Sequence, residues 1–347
     1  MSLANDYRPK DWDEMVEQSI TTTILRNICE SDTISCRNFL LTGPAGCGKT
    51  TIARLMSNKL NGGNAEIIEI DAASHSGADA MREIVEQAKT YPIVGKYKSI
   101  VLDEVHALSS QGWQVLLKTL EESPARTVFF LCTTNPEKIP KTITSRVQQF
   151  QLSKISLQGI CNRIQYVLDS EISKGQNITY TPDGISFISK LANGGMRDAL
   201  TLLDKVLVYS SDITSESVAT ALNLANYEDY FALLNAVAKH NNVEITDVVD
   251  RVYNSGVNFI KWFEEFHSFL MNIVKYILLK DINRTMIPAH YEDKLSKYNM
   301  NHYSACLKIS NVVMQINQDL RSTNYLQETV LTRLCSVPAK SQPNKTE

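Results

Sequence analysis

The chain has 347 residues. At roughly 150 residues per domain that length asks for two or three domains and excludes a small stapled module. With 43% hydrophobic and 21% charged residues the composition is that of an ordinary folded chain, neither disordered nor collagenous. Lys plus Arg number 35 against 38 Asp plus Glu, a formal charge of -3, so nothing global attracts nucleic acid and any basic surface must be local.

Met1 to Met15 is polar and charged with no apolar stretch behind a basic end, which predicts no secretory signal and a cytoplasmic chain. From Asn38 to Leu152 short apolar runs alternate with helix-like stretches: Phe39–Thr42, Ile67–Ile70, Ile100–Leu102, Val128–Cys132 and Phe150–Leu152. Continuous apolar strands separated by helices predict an α/β domain with a parallel sheet covered on both faces, residues 1–152. After Ser153 the strand signal disappears. Ile160, Ile164, Val167, Leu168 and Ile172 fall on one helical stripe, Thr181-Pro182-Asp183 opens a second helix, and Asn193-Gly194-Gly195 turns the chain into a third, Met196 to about Tyr209. These make a three-helix domain, 153–212. Ser210–Asn226 reads as a connection, and helical patterns from Tyr227 to about Cys335 predict a second all-helical domain, 222–336. Within it Phe259–Leu279 is interrupted by Lys261, Glu264, Glu265, His267 and Lys275, so it reads as a buried helix and no membrane is expected. The tail, 337–347, is too polar to fold alone. Seven scattered cysteines, never spaced as C-x2-C, predict reduced thiols.

Gly43-Pro44-Ala45-Gly46-Cys47-Gly48-Lys49-Thr50 fits G-x-x-x-x-G-K-[ST] between a strand and the helix Lys49–Leu60. Glycines let backbone amides close around phosphate oxygens, Lys49 reaches the outer phosphates, the Thr50 hydroxyl ligates Mg2+, and Thr51 follows in the first helical turn. Ile100-Val101-Leu102-Asp103-Glu104 is an apolar strand ending in two carboxylates. Asp103 is expected to hold the magnesium, directly or through water, and Glu104 to polarise the attacking water. His106 reads equally as a structural histidine or a catalytic partner. Thr133-Thr134-Asn135 ends the next strand, and Thr134 is favoured as the γ-phosphate sensor over its two neighbours, although β-propensity alone explains a threonine pair. Arg146 lies beyond that strand. Arg197 opens the third helix of the small bundle, where a cation opposes the macrodipole and so suggests a bound anion, with Asp198 offering a plain salt bridge instead.

Taken in order, Tyr7-Arg8-Pro9, the phosphate loop, Ile70-Asp71-Ala72-Ala73-Ser74, Asp103-Glu104-Val105-His106, Leu117-Lys118-Thr119-Leu120-Glu121-Glu122, Thr133-Thr134-Asn135-Pro136, Ser145-Arg146 and Gly195-Met196-Arg197-Asp198-Ala199-Leu200 resemble the bacterial DNA polymerase III gamma/tau subunit, the AAA+ ATPase of the sliding-clamp loader. The likeness covers about residues 5–207. It implies an AAA+ domain, a lid, a helical collar, and an ATP-driven switch that opens a ring-shaped clamp and loads it on primed DNA. Arg146 matches the arginine finger acting in trans, and Arg197 the sensor 2 arginine acting in cis. Tyr7, Arg8, Pro9 and Val16 match the stretch lining the adenine pocket. The implied partners are delta- and delta-prime-like subunits or further copies of the chain, the sliding clamp, and primer-template DNA held by phosphate contacts. Arg82, Lys89 and Gln111 are candidates for those contacts, and a solvated helix face explains them as well.

Departures from the family bear on the expectations. Only Asn61-Gly62-Gly63-Asn64-Ala65 stands where the family usually carries a four-cysteine zinc module, so no zinc is expected. The usual Val-Gly-Gln is Val16-Glu17-Gln18, Ser-Arg-Cys is Ser145-Arg146-Val147, and the sequence ends at Glu347 without a tau-type extension, which suggests a gamma-like or phage-type minimal form. Alternative readings are another AAA+ DNA-remodelling ATPase, for branch migration or helicase loading, or a non-hydrolysing delta-prime-like scaffold.

Overall fold

The structure, a computed structural model, describes residues 2–31, 34–222 and 227–337, arranged as two compact units. The first unit comprises Met1–Ile178 with Ile188–Asp204, and the second Thr179–Phe187 with Lys205–Glu347. The tail Pro338–Glu347 and the last four residues of the stretch read as a connection lie outside the described residues.

In the first unit α1 (Leu3–Asp6) and α2 (Ser19–Glu30) precede β1 (Asn38–Thr42), α3 (Lys49–Leu60), β2 (Glu66–Asp71), α4 (Ala78–Lys89), β3 (Lys98–Asp103), α5 (Ser110–Glu121), β4 (Thr127–Thr133), α6 (Lys141–Thr144), β5 (Gln148–Gln151) and α7 (Leu157–Ser173). The strands form one parallel sheet in the order β2-β3-β4-β1-β5. Every residue of β1 and β4 is buried, as a strand covered on both faces must be, whereas the edge strand β2 is partly exposed. Alternate strand residues feed two cores. Leu40, Ile100, Leu102, Phe129 and Leu131 pack with Met81, Ile84, Trp113 and Leu116 from α4 and α5. Phe39, Leu41, Val101, Val128 and Phe130 face the other way, against Leu25, Ile52 and Met56 from α2 and α3. The carboxyl ends of β1, β3 and β4 are thereby fixed side by side at one edge of the sheet, with Asp71 in register with Asp103 and Thr42 with Thr133.

Beyond α7 the chain forms β6 (Thr179–Tyr180), α8 (Pro182–Leu191), α9 (Met196–Tyr209), β7 (Asp212–Ile213) and α10 (Ser215–Ala221). Two sequence expectations need correction here. The strand signal does not vanish after Ser153, because β6 and β7 pair in parallel, Thr179 with Asp212 and Tyr180 with Ile213. Two residues per strand are too few to show a period. The stretch from Ser210 is also not merely a connection, since Thr214 and Ser217 form a reciprocal capping box that starts α10.

The second unit continues with α11 (Tyr227–Ala238), α12 (Asn242–Asn254), α13 (Phe259–Leu279), α14 (Glu292–Leu295), α15 (Met300–Asp319) and α16 (Leu326–Cys335). α13 packs on α15, and α12 on α11 and α16. Phe263, Phe266, Leu270 and Ile273 place the buried stripe of α13 in this core, where Phe266 stacks on Trp262 and Tyr230 lies tilted against both rings. Among the described residues no helix is long and apolar enough to cross a membrane.

Candidate functional site

The turn between β1 and α3 depends on backbone that only glycine takes up freely. Gly48 caps α3 with φ +108°. Gly46 has φ +70°, and a Cβ there would lie 3.0 Å from the Cα of Gly195, so the loop passes directly against the start of α9. The Gly46 carbonyl accepts the Met196 amide at 3.0 Å. Lys49 is buried, and its ammonium donates to the carbonyl oxygens of Gly43 and Pro44, each at 2.9 Å. A buried cation needs such partners, and these are carbonyls that a phosphate can replace. Cys47, also in the turn, is buried, which pushes its thiol up and keeps it protonated and unreactive at neutral pH.

Strand β3 delivers the two carboxylates to the same place. The Thr50 hydroxyl donates to Asp103 Oδ2 at 2.9 Å, although 53 residues separate them. Glu104 follows in the left-handed region, φ +46°, a conformation that costs a non-glycine residue of order 1 kcal/mol and turns its side chain away from the strand direction. Its Oε2 accepts from the Thr134 hydroxyl at 3.0 Å and the Thr134 amide at 3.3 Å, and His106 Nδ1 lies 3.2 Å away. Thr133 points inward and is fully buried; its hydroxyl accepts the Asn135 amide.

A cavity opens at this edge, within the first unit. Tyr7, Arg8, Pro9 and Val16 line it together with Ala45 to Thr51, Asp103, Glu104 and Arg197. The expected residues Gly43, Pro44, Thr134 and Arg146 are not among its lining residues. The Gly43 and Pro44 carbonyls instead accept from Lys49, and Thr134 donates to Glu104. Lining residues that were not among the expected site residues are Ala4, Asn5, Met15, Ile155, Arg163, Met196 and Leu200. Arg163 donates to the Tyr7 carbonyl at 2.8 Å and lies over the Tyr166 ring. Tyr7 in turn donates to Glu171, whose carboxyl is held below its usual range by hydrogen bonds from Lys174 and Tyr7. Glu17, which stands where the family usually has glycine, adopts φ +60°, and its carboxylate accepts from the Ser156 amide at 3.0 Å at the amino end of α7. Gln18 pairs with the Ser153 backbone in both directions. The cavity wall is thus stitched to α7.

Charge is concentrated here. Burial, then Arg54, with Arg197 also contributing, lowers the Arg8 guanidinium below its ordinary value. Arg8, Lys49 and Arg197 in one cavity, beside the amino ends of α3 and α9, favour a polyanion. The Asp198 carboxylate folds back over Gly195, where a Cβ would meet it at 2.8 Å. Thr50 and Asp103 supply adjacent hydroxyl and carboxylate oxygens, a donor set that suits a small, hard divalent cation.

Arg146 is held elsewhere. Its guanidinium pairs with Glu121 of α5 at 2.6 Å and donates to the Thr142 carbonyl at 2.7 Å and the Ser145 hydroxyl at 3.1 Å. Arg82, Lys89 and Gln111 line a separate groove between α4 and α5 with Lys118, and Arg82 and Lys89 are paired along their own helix with Asp79 and Glu86.

Residues 63–156 match the family described as "DNA polymerase III, delta subunit", and residues 159–212 that described as "DNA polymerase III clamp loader subunit, ATPase lid domain". The sequence is 32% identical over 300 residues to DNA polymerase III subunit gamma/tau of Mycoplasma genitalium, covering 80% of this chain but 49% of that protein. It is 30% identical over 336 residues to DNA polymerase III subunit gamma of Buchnera aphidicola subsp. Schizaphis graminum, covering 88% of this chain and 90% of that one. The chain therefore spans about half the length of the Mycoplasma relative and most of the Buchnera one. Among solved structures it is similar to the Thermotoga maritima RuvB Holliday junction branch migration motor, with a TM-score of 0.52 and 19% identity over 67% of this chain and 79% of that one. At that identity the likeness shows the fold alone.

Proposed function

The chain belongs to the DNA polymerase III gamma/tau family of clamp-loader subunits, and from that premise we propose that it is an ATP-hydrolysing motor that opens a sliding clamp and loads it on primed DNA. One observation carries the reading: a single cavity gathers Ala45 to Thr51 of the phosphate loop, Asp103, Glu104 and Arg197, while Arg146 is held outside it.

ATP would enter with its base against Tyr7, Arg8, Pro9 and Val16 and its phosphates along the turn from Ala45 to Thr51. Lys49 exchanges the carbonyls of Gly43 and Pro44 for the outer phosphates. Thr50 and Asp103 would hold Mg2+, which when bound supplies neutralisation of the charge building on the phosphate oxygens. Glu104 accepts a hydrogen bond from the attacking water and orients it in line. Thr134, already bonded to Glu104, is placed to report the γ-phosphate to it. Arg197, on the helix that touches Gly46, couples the lid to the same phosphate in cis. Arg146 completes the site of a neighbouring subunit in trans. We assign residues 1–152 as the ATPase domain, 153–212 as the lid and 222–336 as the collar. Its partners are delta- and delta-prime-like subunits or copies of itself, the clamp, and primer-template DNA, for which the α4–α5 groove with Arg82, Lys89 and Gln111 is the candidate surface.

Hydrolysis by the full chain in its purified complex tests this. ATPase activity should rise when clamp and primed template are added together and not with either alone, and Lys49→Ala should abolish ATP binding. Hydrolysis indifferent to both additions, or binding untouched by Lys49→Ala, refutes the proposal.

A further inference from the structure

We propose that His106 is a positioning residue that holds the Glu104 carboxylate for its work on the attacking water; this rests on the reading of Glu104 given above. His106 sits in the short 3-10 turn Val105–Ala107 that follows β3, anchored by the fully buried Val105. Its Nδ1 is 3.2 Å from Glu104 Oε2 and 3.0 Å from the Thr133 hydroxyl.

The protonation of that nitrogen follows from its neighbours. A carboxylate offers only acceptors, and a bare Nδ1 lone pair facing Oε2 at 3.2 Å would repel it. The Thr133 hydroxyl oxygen already accepts the Asn135 amide and has a second lone pair available. A proton on Nδ1 serves the hydrogen bond to Thr133 and sets the positive edge of the imidazole in 3.2 Å contact with the Glu104 carboxylate.

The contact has a function because Glu104 has two neighbours of different kinds, a hydrogen-bonding Thr134 and the imidazole edge. Thr134 is the proposed γ-phosphate sensor, and engaging that phosphate would withdraw its hydroxyl, now 3.0 Å from the carboxylate, from Glu104. His106 is tied to buried Thr133 and stays. It keeps a side chain mounted on a left-handed backbone aimed at the water while its other partner is engaged. Such a residue changes the rate of the chemical step and leaves nucleotide binding alone.

The test compares His106→Ala, His106→Asn and His106→Gln in the full chain, reading kcat and KM for ATP hydrolysis and the affinity for a fluorescent ATP analogue, with Glu104→Gln measured alongside. The Asn amide nitrogen can take the Nδ1 position, whereas Gln reproduces Nε2. Loss of this contact with a charged group should lower kcat about tenfold or more in the Ala and Gln variants, with KM and analogue affinity unchanged, and Asn should restore most of the rate. Unaltered kcat in His106→Ala, or equal rates for Asn and Gln, overturns the inference while leaving Glu104 in place if Glu104→Gln stalls turnover. Full activity in Glu104→Gln removes the reading underneath it. Should His106→Ala fail to fold, as analogue binding would reveal, the Asn and Gln pair decides alone.

Discussion

Arg146 shows what a single residue's surroundings add to its type. As a letter in Ser145-Arg146-Val147 it is one arginine among many. In the structure it is pinned by Glu121 and by the Thr142 carbonyl, in a pair about one third exposed at the arginine and somewhat more at the glutamate. Partly exposed pairs of this kind are worth about 0–1 kcal/mol, weak enough for a neighbour's triphosphate to compete. Arg146→Ala should leave ATP binding by the isolated chain within twofold of the unaltered protein, yet reduce hydrolysis in the assembled complex by about 10^3 or more. Parallel titration and steady-state assays separate the two, and a matching loss of binding would contradict the trans role. Lys49, Thr50, Asp103 and Glu104 were legible from spacing because their chemistry requires fixed neighbours along the chain. Arg163 was not, since its link to Tyr7 spans 156 residues and follows no periodic pattern. Glu17 could have been found: a glutamate in place of a glycine signals a left-handed backbone, but its bond to the amino end of α7 needed the fold.

At the scale of elements, the phosphate loop is in direct contact with α9, the link by which bound nucleotide is proposed to reach the lid. The Gly46 carbonyl and the Met196 amide are hydrogen-bonded, and the opposing Gly195 backbone cannot move as a side chain would. Gly46→Ala places a methyl 3.0 Å from that Cα in a conformation unfavourable for alanine. Strain of about 1–3 kcal/mol corresponds to roughly 5- to 150-fold weaker ATP binding, measurable by titration with a fluorescent analogue. Unchanged affinity would show the loop to be looser than its geometry indicates. Long elements were readable for a simple reason. The helix Lys49–Leu60 and the last bundle helix Met196–Tyr209 begin and end where capping and apolar spacing place them. The parallel strands were each found but one or two residues off at their ends, because ladder pairing extends past the apolar run into Asn38, Lys98 and Thr127. β6, β7 and α10 escaped because each is shorter than the window in which a period can be counted.

At the scale of the molecule, two compact units carry separate cores, so one unfolding transition is not expected. The second is dominated by aromatic residues around α13, with Phe266 fully buried among Tyr230, Trp262 and Phe269. Phe266→Ala should cost about 3–5 kcal/mol in the urea transition of this unit. Analogue binding at the first unit, followed in the same titration, should keep its midpoint. A single transition shifted as a whole would show that the two cores unfold as one.

Residue order alone determined the chemistry available to this protein: a phosphate loop, an acidic strand end and two placed arginines are local patterns, and local patterns survive in a linear string because adjacent atoms impose them. It also determined the α/β and helical classes, through apolar periodicity. Tertiary structure decided which of those residues meet. The hydrogen bonds of Thr50 with Asp103, of Thr134 with Glu104, of His106 with Thr133 and of Gly46 with Met196 join positions whose separation is set by a parallel sheet and its crossovers. Contact between distant residues is a property of packing, and packing depends on every side chain in the core at once.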